Sequence, residues 1–289
     1  MRRFRLQGLS VPGLPIRVEV QDNMPWENVG EHDHEFLEIV IFLRGRTRHV
    51  TRRGRDEVGP GDVLVLRPGE AHGYEGFRNL RLANVHVDPA FLLEVAGELR
   101  GDPVFQAWFQ VRPQLAGAEP DKQRPTRLGL SAPGLVEAER LVLRLVEELK
   151  TNRPGRMLLA RALMLELIVL LVREGEAQGG VIDEKIRRLA EACAHVERHF
   201  REPLRLGDLA SKAGMSVNGF LRVFRRLHGI SPIAYAQRLR LSHARKLLRE
   251  GGLSVTEVAL ESGFGDSNYF SRCYRKGYGE APTATRRRG

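Results

Sequence analysis

The sequence predicts a two-domain α+β protein. An N-terminal β-barrel with two helices flanking its C-terminal side precedes an all-α domain made of two helix–turn–helix units and a linker helix. Three observations carry this prediction. The chain has 289 residues, enough for two separate cores. From Ile16 to Val87 it reads as short apolar runs punctuated by Gly, Pro and Asp. After residue 181 one helical pattern occurs twice.

Charge follows the same division. The formal net charge is +10. Residues 1–180 hold 25 Lys and Arg against 25 Asp and Glu, whereas residues 181–289 hold 21 against 11. A polyanionic partner is therefore expected for the second half alone. The two cysteines, Cys193 and Cys273, stand apart with no CxxC, which suits a reducing cytoplasm. No apolar run follows Met1-Arg-Arg-Phe-Arg5, so no signal peptide is expected. The most apolar stretch, Met157–Val172, spans 16 residues and carries Arg161 and Glu166. It is short for a membrane span and reads as a buried or partner-facing helix, with no membrane partner.

The runs Leu37–Leu43, Val63–Leu66 and Leu80–Val87 are the strands of a small barrel. Among them lie His32-Asp-His34-x-x-x-Glu38, Gly61-Asp62 and Gly69-Glu-Ala-His72. Three imidazoles and a carboxylate suit a divalent metal such as zinc, iron, nickel or manganese. They equally suit a set of polar groups orienting a small ligand, or a structural polar cluster. Arg46, Arg81 and His86 are further pocket positions, each also readable as surface.

The spacing of these residues resembles the cupin fold, whose two motifs bring two His, a Glu and a third His to one pocket. The second motif departs from the pattern: Arg67 stands where a Pro is expected, Pro68 is displaced, and Gly76 replaces an Asn. Cupins include metal enzymes, sugar isomerases and ligand sensors, so the fold leaves the choice open.

Arg100–Pro133, rich in Pro, Gly and charge, reads as a mobile connection with some short helix. Leu135, Ala138, Val142, Leu145 and Leu149 then step by threes and fours as a heptad-like seam. With the Met157–Val172 helix this seam predicts a homodimer, the alternative being packing on the chain's own barrel. Glu174–Gly180 reads as an interdomain linker. The expected segments are 1–133 for barrel and connection, 134–180 for the helical dimerisation part and linker, and 181–289 for the basic domain.

In that domain Ile186, Leu189, Ala190, Cys193, Val196 and Phe200 mark an amphipathic helix. Leu206, Leu209, Ala210 and Ala213 follow as a short helix closed at Gly214, and Ser216 is placed to cap the next. There Phe220, Val223, Phe224 and Leu227 share one face, and Asn218, Arg222 and Arg225 the other. Leu209-Ala210 and Ala213-Gly214 recur 49 residues later as Val258-Ala259 and Ser262-Gly263. Beyond a one-residue insertion, Asn218, Phe220, Arg222, Phe224 and Arg225 recur 50 residues later as Asn268, Phe270, Arg272, Tyr274 and Arg275.

Ser254 and Glu257 have capping-box spacing, and Asp266 is the expected cap of the last long helix. In that helix Asn268, Ser271, Arg272 and Arg275 face outward. This is the layout of a double helix-turn-helix that places its second helices in the major groove. Arg suits guanine and Asn adenine, since each makes paired hydrogen bonds to that base edge. The connecting helix opens at Ser231-Pro232 and runs to Gly251-Gly252.

The motifs Leu206-x-x-Leu-Ala-x-x-Ala-Gly-Met-Ser216, Gly229-Ile-Ser-Pro232 and Ser262-Gly-Phe-Gly-Asp-Ser-Asn-Tyr-Phe270 resemble the arabinose-regulator (AraC/XylS) family over about residues 182–287. That resemblance implies base contacts at Asn218, Leu221 and Arg222 and at Ser267, Asn268, Ser271 and Arg272. One departure is Thr285, where the family usually has an aromatic before the final Arg; it predicts weaker docking of the last helix. Arg286–Arg288 read as phosphate contacts or a frayed tail.

The expected function is a ligand-responsive, sequence-specific transcription regulator of double-stranded promoter DNA, with no catalytic residues. Resemblance to rhamnose- and arabinose-type regulators implies a sugar effector at His32, His34, Glu38 and His72. An activator would also need RNA polymerase as partner. The alternatives are a cupin metalloenzyme with an appended DNA-binding domain, and a constitutive regulator.

Overall fold

The computed structural model describes residues 2–6, 14–22, 28–52, 54–111, 115, 126–178 and 184–286. The chain falls into two compact units, Met1–Arg100 with Ala107–Arg187, and Arg188–Gly289 with Gly101–Gln106.

Among the described residues of the first unit, eight strands make one sheet: β1 (Arg2–Phe4), β2 (Ile16–Asp22), β3 (Asn28–His34), β4 (Leu37–Thr51), β5 (Gly54–Val58), β6 (Asp62–Leu66), β7 (His72–Val87) and β8 (Thr126–Gly129). Their order is β1-β3-β7-β4-β6-β8, with β2 also on β7 and β5 also on β4. The runs Leu37–Leu43 and Leu80–Val87 are parts of the two long strands, 15 and 16 residues, which pair antiparallel. Alternation along them buries Val40, Phe42, Leu80 and Leu82 with Leu64, Leu66 and Tyr74 in one cluster. Each such side chain contributes roughly 1.5–3 kcal/mol.

The connection expected over Arg100–Pro133 is more ordered at its end than its composition implies. Thr126–Gly129 is a strand paired with β6, Asp62 opposite Gly129 and Val65 opposite Thr126. Four residues give no readable period, and Arg127 is what secures it: Nε and Nη2 donate to Asp62 Oδ1 and Oδ2 at 2.8 and 2.7 Å. The middle of this connection lies outside the described residues. Earlier come α1 (Pro89–Val95), capped by Asp88, α2 (Pro103–Phe105), and a π-helical turn over Gln106–Gln110. Arg67, the departure from the cupin pattern, is buried and donates to Ala107 O and Trp108 O at 3.0 and 2.6 Å. It braces the π-helical turn.

Two helices complete the unit, α3 (Ala132–Lys150) and α4 (Arg156–Gln178). The seam expected to face a partner is instead largely spent at home. Ala138, Val142 and Leu145 are buried, and α3 packs on α4 and β2. The exposed apolar residues of these helices are Val136, Leu143, Leu158, Leu159 and Leu165. The linker expected over Glu174–Gly180 is helical through Gln178. Glu174 accepts from Ser131 N and Oγ at 2.6 and 2.9 Å, which ties that turn to the start of α3. Residues 179 and 180 lie outside the described residues. Among the described residues no helix is long and apolar enough to cross a membrane.

The second unit contains α5 (Glu184–Arg198) from Arg188 onward, α6 (Leu206–Lys212), α7 (Val217–His228), α8 (Pro232–Glu250), α9 (Val255–Glu261), α10 (Ser267–Tyr278) and α11 (Pro282–Arg286). The internal repeat is visible as α6–α7 and α9–α10, joined by α8. Ser216 Oγ accepts from Gly219 N, and Asp266 caps α10 through Tyr269 N. Ser254 and Glu257 form the full capping box of α9. Phe220 and Phe224 in the first copy, and Phe270 and Tyr274 in the second, are fully buried. Arg240 of α8 donates to Phe200 O and Glu202 O at 2.5 and 2.8 Å, fixing α8 to the chain beyond α5.

Weak docking of α11 was the expectation at Thr285, and the structure supplies a different anchor. Thr285 is buried and its hydroxyl donates to Glu280 Oε1 at 2.8 Å. With that proton committed, the Tyr274 hydroxyl donates to Thr285 Oγ1 at 2.9 Å. Thr285→Val keeps the shape and strands the Tyr274 hydroxyl. The variant should lose about 1–3 kcal/mol in urea unfolding of the second unit. No loss would mean that the pair does not anchor α11.

Candidate functional sites

A cavity of about 300 Å³ opens on the face of the sheet where β1, β2, β3, β4 and β7 meet. Strand alternation puts its residues there. Arg17, Glu19 and Gln21 are every second residue of β2, and they lie directly opposite His86, Asn84 and Leu82 of β7. His32 and His34 come from β3, Glu38 from β4, and His72 and Tyr74 from β7. Phe4, Phe36 and Leu82 supply apolar wall. The volume is at the small end for ligand pockets, the size for a compact small molecule.

Between the two cavity histidines of β3, Asp33 points the other way. It is buried and takes both branches of the Arg3 guanidinium, which fastens β1 to β3.

His34, Glu38 and His72 converge. A carbonyl oxygen only accepts, so ring Nδ1 donates in each contact: His34 to Phe36 O at 2.7 Å, His72 to Glu70 O at 3.1 Å, His32 to Gly30 O at 3.0 Å. In the neutral ring Nε2 then carries the lone pair. His34 Nε2 and His72 Nε2 each lie 3.3 Å from Glu38 Oε2, and none of these three buried atoms has a hydrogen-bond partner. Burial alone would raise the Glu38 carboxyl. Hydrogen bonds from His34, His72 and His86, which the first two give only when Nε2 carries a proton, outweigh burial and hold it well below the usual range.

The residues therefore fit a divalent cation. Donors bound to one ion at about 2.0–2.2 Å lie roughly 3.0–3.5 Å from one another. Backbone anchoring of Nδ1 is also how metal-binding imidazoles are oriented. Of the four residues nominated from sequence, His32 lines the cavity beside this trio, its ring centroid 4.4 Å from that of His72. The three that bring ligand atoms within 4.8 Å of one another are His34, Glu38 and His72.

His86 was readable as surface, and the structure places it in the site. Its Nε2 donates to Glu38 Oε1 at 2.9 Å, since the two residues are register partners on β7 and β4. Arg46 and Arg81 do not line the cavity. Arg46 is exposed beside Glu57, and Arg81 pairs with Asp22 and Glu139. Sequence reasoning missed His49, Tyr74 and Asn84. His49 is fully buried behind His72, and burial, helped by His72, pushes it down to about 3, so it stays neutral.

In the second unit Asn218, Arg222 and Arg225 are exposed along α7, with Leu221 half-buried between them. On α10 Asn268, Arg272 and Arg275 are exposed, and Ser267 and Ser271 are half-buried. Ser271 Oγ donates to Ser267 O at 2.9 Å, so it faces a partner with lone pairs. Asn268, Ser271, Arg272, Arg275 and Lys276 together line a shallow open depression. Nineteen residues of α8 at about 1.5 Å each span roughly 28 Å, close to the ~34 Å between successive major grooves.

A small-molecule cavity in a barrel and a basic double helix-turn-helix define a DNA-binding transcription regulator with a ligand-binding domain. Comparison with known proteins gives the family. An AraC-like ligand binding domain matches residues 15–168, and a helix-turn-helix domain matches residues 209–288. The HTH-type transcriptional activator RhaS of Enterobacter sp. (strain 638) is 31% identical over 93% of this chain and 91% of its own. RhaS of Citrobacter koseri is 30% identical over 92% and 90%.

Among solved structures, ToxT from Vibrio cholerae aligns over 93% of this chain and 97% of its own, at 10% identity and TM-score 0.35. The DNA-binding domain of AdpA, in complex with a target DNA, is 34% identical over 34% of this chain and 89% of its own, at TM-score 0.33. The chain belongs to the AraC family of transcription regulators. These relatives are activators of transcription, and the enzyme alternative is set aside on that ground.

Proposed function

We propose that the chain is a sugar-responsive transcription activator that works in the cytoplasm as a homodimer on promoter DNA, with RNA polymerase as a further partner. The observation that carries the sugar reading is the cavity. It is small, walled by Phe4 and Phe36, and edged with hydrogen-bonding groups from Gln21, Asn84, His32 and His86. Aromatic faces suit the C–H surfaces of a sugar ring, and amides and imidazoles suit its hydroxyls. The named relatives are transcriptional activators, which supports the activator part of the reading. Residues 1–133 act as the sensor and connection, 134–180 as the helical dimerisation segment and linker, and 181–289 as the DNA-binding domain. With the α3 seam spent internally, the dimer would use Val136, Leu143, Leu158 and Leu165.

In the DNA-binding domain, Asn218, Leu221 and Arg222 on α7, and Ser267, Asn268, Ser271 and Arg272 on α10, read base edges. Arg225 and Arg275 support them from the next turn. In the sensor His34, Glu38 and His72 would hold a divalent cation, which when bound supplies positive charge for ligand oxygens. His86 holds Glu38 in place, and the aromatic walls exclude water. Effector binding shifts the population toward the DNA-competent arrangement.

The test is thermal unfolding of the full chain with L-rhamnose, L-arabinose and their sugar acids. A ligand at a hundred times its Kd stabilises by about 2.7 kcal/mol. One of these compounds should shift the melting of the sensor. No shift with any of them would overturn the sugar reading and favour a constitutive regulator.

A further inference from the structure

We infer that Tyr269, tethered by Gln237 of α8, is a positioning residue that preorganises Arg272 for its base, and that the first copy of the repeat has no counterpart. The inference rests on the reading of Arg272 as a base contact. It makes the α10 half of the DNA site the more discriminating one.

Four observations carry it. The first is the place of the ring. Tyr269 precedes Arg272 by three residues on α10, so the two side chains are neighbours on the helix surface. The Arg272 guanidinium lies over the Tyr269 ring, 5.9 Å from its centroid, which is inside the reach of a cation–π contact.

The second is that the ring is held on several sides. Its hydroxyl accepts a hydrogen bond from Gln237 Nε2 at 3.2 Å. The buried Phe264 ring stands beside it, centroids 6.2 Å apart. Its backbone N–H donates to Asp266 Oδ1, the cap of α10.

The third is the clamp itself. Gln237 Nε2 also donates to Cys273 Sγ at 3.0 Å, one turn beyond Tyr269. One amide of α8 thus grips α10 on both sides of the turn that carries Arg272. Tyr269 is 48% exposed, so its ring adds little to the core. The tether therefore serves the exposed side chain that the ring supports.

The fourth is the comparison between copies. Gly219 stands where Tyr269 stands, 50 residues earlier, just as Arg222 matches Arg272. Among the described residues the guanidiniums over aromatic rings are those of Arg161, Arg245 and Arg272. Arg222 therefore gives up its side-chain freedom only when it docks, whereas Arg272 has given up part of it beforehand. A guanidinium held in one direction is also less able to turn to another acceptor when the base is wrong, which is what raises discrimination.

The probe is a duplex selected from a random library by the full-length wild-type protein, together with its single base-pair variants and one unrelated duplex. Binding is followed by fluorescence anisotropy, and thermal melting confirms that each protein variant is folded. Tyr269→Ala should weaken binding of the selected duplex by about 2- to 5-fold, the effect of an exposed cation–π contact. It should lower discrimination at the base pair that Arg272→Ala relaxes and leave discrimination at the base pair of Arg222 unchanged. In an Arg272→Ala background Tyr269→Ala should have no further effect. Tyr269→Phe keeps the ring and drops the tether, so it should show a smaller part of the same loss of discrimination.

Additive losses from Tyr269→Ala and Arg272→Ala overturn the proposal and leave base reading by Arg272 standing. Unchanged discrimination in folded Tyr269→Ala overturns it as well. So does an equal loss of the selected and unrelated duplexes in Tyr269→Phe, since the hydroxyl would then be a phosphate contact. Should Tyr269→Ala fail to fold, Tyr269→Phe with Arg272→Ala completes the same cycle. Arg272→Ala that weakens the unrelated duplex as much as the selected one overturns the base reading itself, and the proposal with it.

Discussion

Arg272→Ala weakens binding to the cognate promoter duplex by about 1–3 kcal/mol, roughly 5- to 150-fold, and relaxes base preference at one position. Arg222→Ala does the same at the other half of the site. Both guanidiniums are exposed on the outer faces of second helices whose inner faces are buried through Phe220, Phe224, Phe270 and Tyr274. Among the described residues no carboxylate pairs with either. Arg272 lies over the edge of the Tyr269 ring, 5.9 Å from its centroid, which leaves its fork of N–H donors available.

The two positions are separated by the length of α8, so the double variant should show additive losses. Salt dependence separates base reading from simple charge. A lost phosphate contact lowers the slope of log affinity against log salt by about 1 and weakens random DNA equally. Either outcome for Arg272 would reassign it to the backbone of the duplex.

The helical half was legible because its information is local and repeated. Capping residues, glycine stops and one apolar face per helix lie within a dozen residues of one another, and each copy checks the other. The barrel was legible as strands and as a cluster, but the membership of the cluster was not. His86 enters because it is the register partner of Glu38, a pairing 48 residues apart that no short window contains.

His49 was hidden by parity. Glu38, Val40 and Phe42 share one face of β4, and simple alternation would send an odd-numbered position to the other side. Register shifts between Phe42 and Arg48 change the count, and His49 turns inward behind His72. Thr285 misled for another reason. Its docking depends on a hydroxyl chain through Tyr274 and Glu280, whereas the family pattern speaks only of an aromatic.

The same shifts in β4 make Gly45→Ala the most damaging single change expected in the sensor. Gly45 lies within the middle of three register shifts, the one between Arg44 and Arg46, with φ of +76°. A Cβ there would stand 2.3 Å from both Arg78 O and Asn79 O, backbone atoms of β7 rather than the ends of flexible side chains. The left-handed backbone alone costs an L-residue about 1–3 kcal/mol, and the steric conflict adds to it. For a unit of this size each kcal/mol lowers the midpoint by about 2–4 °C, so the backbone cost alone should lower the sensor transition by roughly 2–12 °C, and the steric conflict lowers it further.

Gly30→Ala is the control. It lies on β3 next to the cavity, yet a Cβ there meets nothing within 4 Å, and its effect should stay within about 0.5 kcal/mol. Because β4 carries Glu38 before the bulge and His49 after it, a repaired register in Gly45→Ala would move one of them off the cavity side. The variant should therefore lose response to effector at temperatures where it is still folded, while the second unit unfolds as in the wild type. A Gly45→Ala protein with unchanged melting and unchanged effector response would show that the close approach of β4 to β7 is not what sets the site.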